Sequence, residues 1–185
     1  ANAIKDFCAG QKLGGALLGQ EGAGKTWAAI TALSAAAEDI SVLPIVVSAD
    51  NAKKHDDAFD VVVAALKAIG QEQGVRLQSP EEYWRRRLGQ WASARAGTSD
   101  QPTVLILVDG LDEALKITWP SWLSAVLERR WKGLFRVLLT CREDAWRRSL
   151  TLEKSLEDDL ERVPVDLFEA PERDHYLSQR GSDVG

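Results

Sequence analysis

Apolar residues along this chain alternate between short runs and helical stripes. Gly15 to Leu18 is a brief apolar run ending in a glycine-rich turn, and the Ala-rich stretch from Lys25 to Glu38 favours a helix. Val42 to Ser48 (VLPIVVS) reads as a buried strand, and Pro44 puts it at or near a sheet edge because proline cannot donate to a ladder. Phe59, Val62, Val63, Leu66 and Ile69 recur at helical spacing. So do Trp84, Leu88 and Trp91, behind the helix-start signal Ser79-Pro80-Glu81-Glu82. Thr103 to Val108 (TVLILV) is unbroken, as a strand covered on both faces should be. Trp119, Trp122, Val126 and Leu127 predict another helix, and Phe135 to Thr140 another strand. Leu152, Leu156 and Leu160 form a further helix stripe, Val163 to Leu167 a last short strand, and Pro171 opens a final helix. Gly97 to Gln101 reads as a loop, and Gly181 to Gly185 as a fraying tail.

About five strands separated by helices predict an α/β domain with a mainly parallel sheet. Composition supports a single globular unit: 185 residues, 45% hydrophobic and 28% charged. No run approaches the roughly 20 apolar residues that span a bilayer, and the opening ANAIKDFCAG has no signal-peptide pattern. Two cysteines, Cys8 and Cys141, make no disulfide framework, so a reduced, cytoplasmic setting and no membrane are expected. There is no methionine, which fits a segment of a longer protein.

The sharpest motif is GQEGAGKT, comprising Gly19, Gln20, Glu21, Gly22, Ala23, Gly24, Lys25 and Thr26, a full match to G-x-x-x-x-G-K-[ST]. Such a loop turns successive backbone N–H groups around phosphates, and the helix behind it adds its positive end. Lys25 would then reach the β- and γ-phosphates and Thr26 would ligate Mg²⁺, with Trp27 following in the helix. The bland alternative is a Gly-rich turn with a surface lysine.

A second element complements it. The run VLILVDGLDEA delivers Asp109 at the C-terminal end of a buried strand, where open α/β sheets bind ligands and a carboxylate can hold Mg²⁺. Asp112 and Glu113 follow on the turn, and either is placed to orient or deprotonate a water in line with the γ-phosphate. All three acids are also residues that simply cap helices. Together the two elements predict nucleotide binding. No Asn-Lys-x-Asp loop for guanine is present, since Asn51-Ala52-Lys53-Lys54 has the wrong pattern, so adenine is favoured by elimination and the cofactors are ATP and Mg²⁺. The strand FRVLLT ends in Cys141-Arg142-Glu143-Asp144. Arg142 is either a γ-phosphate sensor, through directed charge-assisted hydrogen bonds, or a surface arginine paired with Glu143 or Asp144.

These motifs in this order, G-x-x-G-x-G-K-T, then D-G-L-D-E, then L-L-T-C-R, resemble the STAND class of signal-transduction ATPases, within it the NACHT-like bacterial branch. Gly110 and the pair Asp112-Glu113 carry the distinction from a generic P-loop ATPase. The resemblance implies a P-loop NTPase three-layer sandwich with sheet order 5-1-4-3-2, and makes Arg142 a sensor. It also implies slow ATP hydrolysis that switches assembly in defence or programmed-death signalling, with ATP/ADP as ligands and self-association of the full-length protein. It divides the chain into a helical lead-in (1–14), the NTPase domain (15–168) and the start of a following helical segment (169–185), with effector and sensor domains elsewhere. Trp27 departs from the small residue often found after the loop threonine. Two other ATPase readings stand beside it: an AAA+ or RecA-like motor or DNA-processing enzyme, and an ATP-binding scaffold with negligible hydrolysis.

The remaining features read as structural. Trp84-Arg85-Arg86-Arg87 and Trp146-Arg147-Arg148 invite a single-strand nucleic-acid reading by stacking plus charge. Helical spacing explains Trp84 as packing, and a net charge of −5 offers no broad basic footprint, so nucleic acid is not an expected partner. His55, His175, Cys8 and Cys141 show no metal-ligand or nucleophile spacing.

Overall fold

The computed structural model describes residues 7, 12–38, 42–52, 54, 58–74, 76, 78–94, 103–114, 119–127, 134–149 and 160–165. Strand β1 (Gly14–Gly19) leads through the glycine-rich turn into helix α1 (Lys25–Ala37). Then come β2 (Val42–Ser48), the short α2 (Ala49–Ala52), α3 (Ala58–Glu72) and α4 (Pro80–Ala94). Strand β3 (Thr103–Asp109) runs into a 3-10 turn (Leu111–Ala114), followed by α5 (Trp119–Val126), β4 (Phe135–Arg142), α6 (Glu143–Ser149) and β5 (Leu160–Pro164).

The five strands are parallel and ordered β2-β3-β4-β1-β5, which is the predicted 5-1-4-3-2 read from the other edge. The fold is the predicted α/β sandwich, a parallel five-stranded sheet with helices on both faces. Strand periodicity sorts the side chains. Val104, Ile106 and Val108 of β3 face one layer with Val137 and Leu139 of β4, against Leu66 of α3, Leu88 of α4 and Trp122 of α5. Leu105, Leu107 and Leu138 face the other way, against Ala29, Ala32 and Leu33 of α1. Asp109, Thr140 and Arg142 continue this second register, so the polar strand tips lie on the α1 side. Pro44 sits in an edge strand, as its chemistry requires.

Two predicted elements move. Leu160, read as part of a helical stripe with Leu152 and Leu156, opens β5 instead, and the last strand covers Leu160–Pro164 rather than Val163 to Leu167. The reason is non-local: β5 adds to the free edge of β1 with Leu160 opposite Gly14, whose missing side chain leaves room for the leucine. Ile69 is exposed rather than part of the buried stripe, whereas Val61 is buried. Leu152, Leu156, the lead-in before residue 12 apart from Phe7, the 97–101 loop, the segment from 166 onward, Cys8, His55 and His175 lie outside the described residues. No helix among the described residues is long and apolar enough to cross a membrane.

Candidate nucleotide site

Between β1 and α1 the chain must reverse within a few residues, which two glycines make possible. Gly22 and Gly24 both adopt φ of 75°, in the left-handed region that side chains disfavour. The Ala23 N–H donates to the Gln20 carbonyl at 3.2 Å, and Ala28 N–H to Gly24 at 2.8 Å begins the helix. Lys25 folds back over this loop, its Nζ donating to the carbonyls of Gln20 (2.8 Å) and Gly19 (3.2 Å). The ammonium is therefore held inside the turn where phosphate oxygens would exchange with those carbonyls.

Thr26 meets Asp109 across 83 residues of sequence, its hydroxyl donating to Oδ1 at 2.7 Å. The same Oδ1 accepts a second hydroxyl, Thr140 Oγ1 at 2.5 Å, and Thr140 Oγ1 in turn accepts the Gly110 N–H at 2.9 Å. Thr140 is almost wholly buried and escaped the sequence reading, because a threonine within a strand is ordinary. The available signal was parity: Thr140 precedes Arg142 by two positions and so shares its face.

Metal fit can be judged from the oxygens. Mg²⁺ is held by one or two carboxylates plus phosphates and water, with oxygens at about 2.0–2.1 Å and adjacent octahedral corners about 2.9 Å apart. Thr26 Oγ1 and Asp109 Oδ1, at 2.7 Å, fit two such corners. No cluster of three or more His, Cys, Asp or Glu side chains able to hold a metal occurs among the described residues.

The acidic turn separates its two carboxylates. Asp112 is engaged by Arg142 at both oxygens: Oδ2 accepts Nε at 2.7 Å and Oδ1 accepts the Arg142 backbone N–H at 3.1 Å. Arg142 also has Glu21 Oε2 at 3.8 Å from Nη1. The close partner of the arginine is thus Asp112, while Glu143 pairs with Arg147 and Asp144 acts on Arg142 through its charge. The Arg142 pKa is raised by the hydrogen bond and charge of Asp112. Glu113 lies apart, its carboxyl folded over the Cα of Gly110, where a Cβ would come within 2.9 Å of Cδ. Gly110 itself has φ of 74°. Burial first, and then the charge and hydrogen bond of Asp112, push the neighbouring Cys141 thiol up to about 12.

A cleft of about 330 Å³ joins these groups, lined by Glu21, Gly22, Lys25, Thr26, Asp109 and Glu113 among others. Gln20 lines an adjoining cleft with Glu143 and Arg147. Trp27 is half-buried in α1 and, like Gly19, Ala23 and Gly24, lines neither.

Solved structures share this architecture. The chain is similar to the ORC1 protein of Aeropyrum pernix in complex with DNA, at 21% identity and a TM-score of 0.55, over 98% of this chain and 47% of that one. It is similar to the A. pernix ORC2 protein with ADPNP and ADP, at 17% identity and a TM-score of 0.55, over 97% of this chain and 49% of that one. Drosophila ORC bound to DNA gives 13% identity and a TM-score of 0.55, over 94% and 42%. The shared fold is the P-loop NTPase α/β sandwich, a parallel five-stranded sheet with flanking helices. At these identities the likeness is one of fold, and it does not show the STAND resemblance. The chain spans about half the length of the structures it matches. No family model matches it, and no curated protein matches it significantly.

The exclusion of nucleic acid as a partner is corrected by this comparison, because two of these similar structures were solved on DNA. A net charge of −5 averages over the whole surface and does not report a local cationic patch. The two Trp–Arg runs are nevertheless not stacking platforms. Trp146 is buried, Trp84 packs against the core, Arg85 pairs with Asp60, and Arg147 pairs with Glu143 at 2.5 Å.

Proposed function

We propose that this domain is an ATP- and Mg²⁺-dependent P-loop ATPase module of the AAA+ kind, working within a longer protein that handles nucleic acid. The observation that carries the reading is the meeting of Thr26 and Asp109 at 2.7 Å directly beside the Lys25-capped turn. Lys25 would hold the β- and γ-phosphates, and Thr26 with Asp109 would hold Mg²⁺, which when bound draws charge from the phosphate oxygens. Glu113 would orient a water and accept its proton as the water oxygen bonds to the γ-phosphorus and the bond to ADP breaks. Arg142 would meet the γ-phosphate from the β4 tip.

Calorimetry tests the reading. The wild-type chain should bind ATP in the presence of Mg²⁺, and Lys25→Ala should abolish that binding, since it removes the cation seated in the turn. Unchanged ATP binding in Lys25→Ala would sink the assignment. Turnover stimulated by DNA would support the motor or DNA-processing character. A second reading is a slow switch of the STAND kind, favoured by the hold of Asp112 on Arg142 at the strand tip. It calls for slow turnover indifferent to DNA.

A further inference from the structure

Of the two acids on the turn after β3, one is held at both oxygens by the β4 tip. Both Asp112 oxygens accept hydrogen bonds from Arg142, one from the backbone and one from Nε, and its side chain is only 11% exposed. Asp112 lines the cleft, but each of its oxygens already has one lone pair engaged by Arg142, whereas Glu113 is outside that clasp. An arginine gripped at its backbone and at Nε, on the other hand, has lost most of its rotamer freedom, and its two terminal nitrogens are fixed in direction.

We propose that Asp112 is a positioning residue for Arg142, aiming the guanidinium's terminal edge at the γ-phosphate, and that it takes no part in activating water. The inference rests on the ATPase reading above. Nη2 has no protein partner among the described residues. Nη1 lies 3.8 Å from Glu21, which is 88% exposed, and the charge of Asp144 also acts on the guanidinium. The Glu21 contact is weak, long and solvent-screened, and a phosphate oxygen would replace it readily. The strong contact is made at Nε, and among the described residues no hydrogen bond engages the two terminal nitrogens.

The clasp also extends the sheet. The β3–β4 register ends at Val108 opposite Leu139, and beyond it the strands are joined through side chains: Asp109 and Gly110 to Thr140, then Asp112 to Arg142. The turn that offers a carboxylate to the metal therefore also holds the arginine. Metal site and γ-phosphate contact are linked through a few residues of backbone.

The test is the ratio of ATP to ADP affinity, measured with Mg²⁺ by calorimetry on the whole chain. Wild type should prefer ATP, and Asp112→Ala should lower that preference roughly tenfold while ADP affinity stays within about twofold. The double variant Asp112→Ala/Arg142→Ala should discriminate no less than Arg142→Ala alone, because both changes remove one contact. Asp112→Asn, which keeps the shape and one carbonyl acceptor, should fall between wild type and Asp112→Ala. It carries the test if the alanine variant fails to fold. Additive losses in the double variant, or an unmoved ratio in both Asp112 variants, overturn the proposal while leaving the ATPase reading in place. A wild type that binds neither nucleotide overturns both.

Discussion

Thr140→Val isolates the buried hydroxyl that braces Asp109, because valine keeps the volume and removes only the polar group. Two hydrogen bonds disappear: the donor to Asp109 Oδ1 at 2.5 Å and the acceptor of the Gly110 N–H at 2.9 Å. A bond to a charged group contributes about 1.5–3 kcal/mol, and an N–H left without a partner costs about 1–3 kcal/mol more. The added methyl recovers about 1 kcal/mol by burial, since position 140 is only 2% exposed. The net loss should be about 1.5–5 kcal/mol, a large share of the roughly 5–15 kcal/mol typical of a domain. Urea unfolding without nucleotide would read it as a fall in midpoint of about 1–2 M at unchanged slope. A second effect follows at the site. Partners that orient a ligating group are worth roughly 10- to 100-fold in metal affinity, so Mg²⁺-dependent ATP binding should weaken while binding in EDTA should not. Thr140→Ser, which restores the hydroxyl, should recover the metal dependence. An unmoved midpoint together with an unmoved Mg²⁺ dependence refutes the bracing role.

Further outcomes follow from the same geometry. Gly110→Ala forces a side chain to φ of 74° and against Glu113, at about 1–2 kcal/mol of stability; single-turnover assays should show slower cleavage with ATP still bound. Glu113→Gln should likewise leave ATP affinity intact and slow the chemical step, and an undiminished single-turnover rate would move the activating role elsewhere. Cys141 ionises near 12 in the folded chain against an ordinary 9.0, chiefly because it is buried. The unfolded chain therefore releases that proton first, and stability should decline as pH rises from 9.0 toward 12. Cys141→Ala should remove that part of the alkaline loss in urea titrations across the same range.

The fold was legible where one strand's burial is decided by its own residues. β3 is covered on both faces, so its run is apolar without interruption, and its bounds were read almost to the residue. β2 announced its edge position through Pro44. β5 was misplaced because nothing local marks it. Leucines four apart satisfy helical spacing, whereas the strand is fixed by an open edge of β1 and a glycine opposite, both far away in sequence. The site divides the same way. Gly22, Gly24 and Lys25 act through the backbone they are part of, so their motif reports them directly. The partners of Asp109 and Asp112 come from another strand 31 and 30 residues on, and no spacing rule couples them. The choice between the two acids on the turn therefore needed the β4 tip to be in place.

Partner identity lies a step further out, and the charge argument shows why. A net charge of −5 over 185 residues bounds only the average field of this stretch. Nucleic acid is bound by local arrays of cations that set the salt dependence, and such an array can sit on an acidic domain or on a neighbouring one. The similar structures solved on DNA are chains of which this one covers 47% and 42%. This chain thus matches less than half of each, and a shared fold does not by itself select a partner. Salt dependence therefore decides. DNA-stimulated turnover that falls steeply with added salt would locate a cationic footprint on this chain, and Arg86 and Arg87, both exposed on α4, are the first side chains to neutralise. If the stimulation persists in Arg86→Ala/Arg87→Ala with the same salt slope, the footprint lies elsewhere.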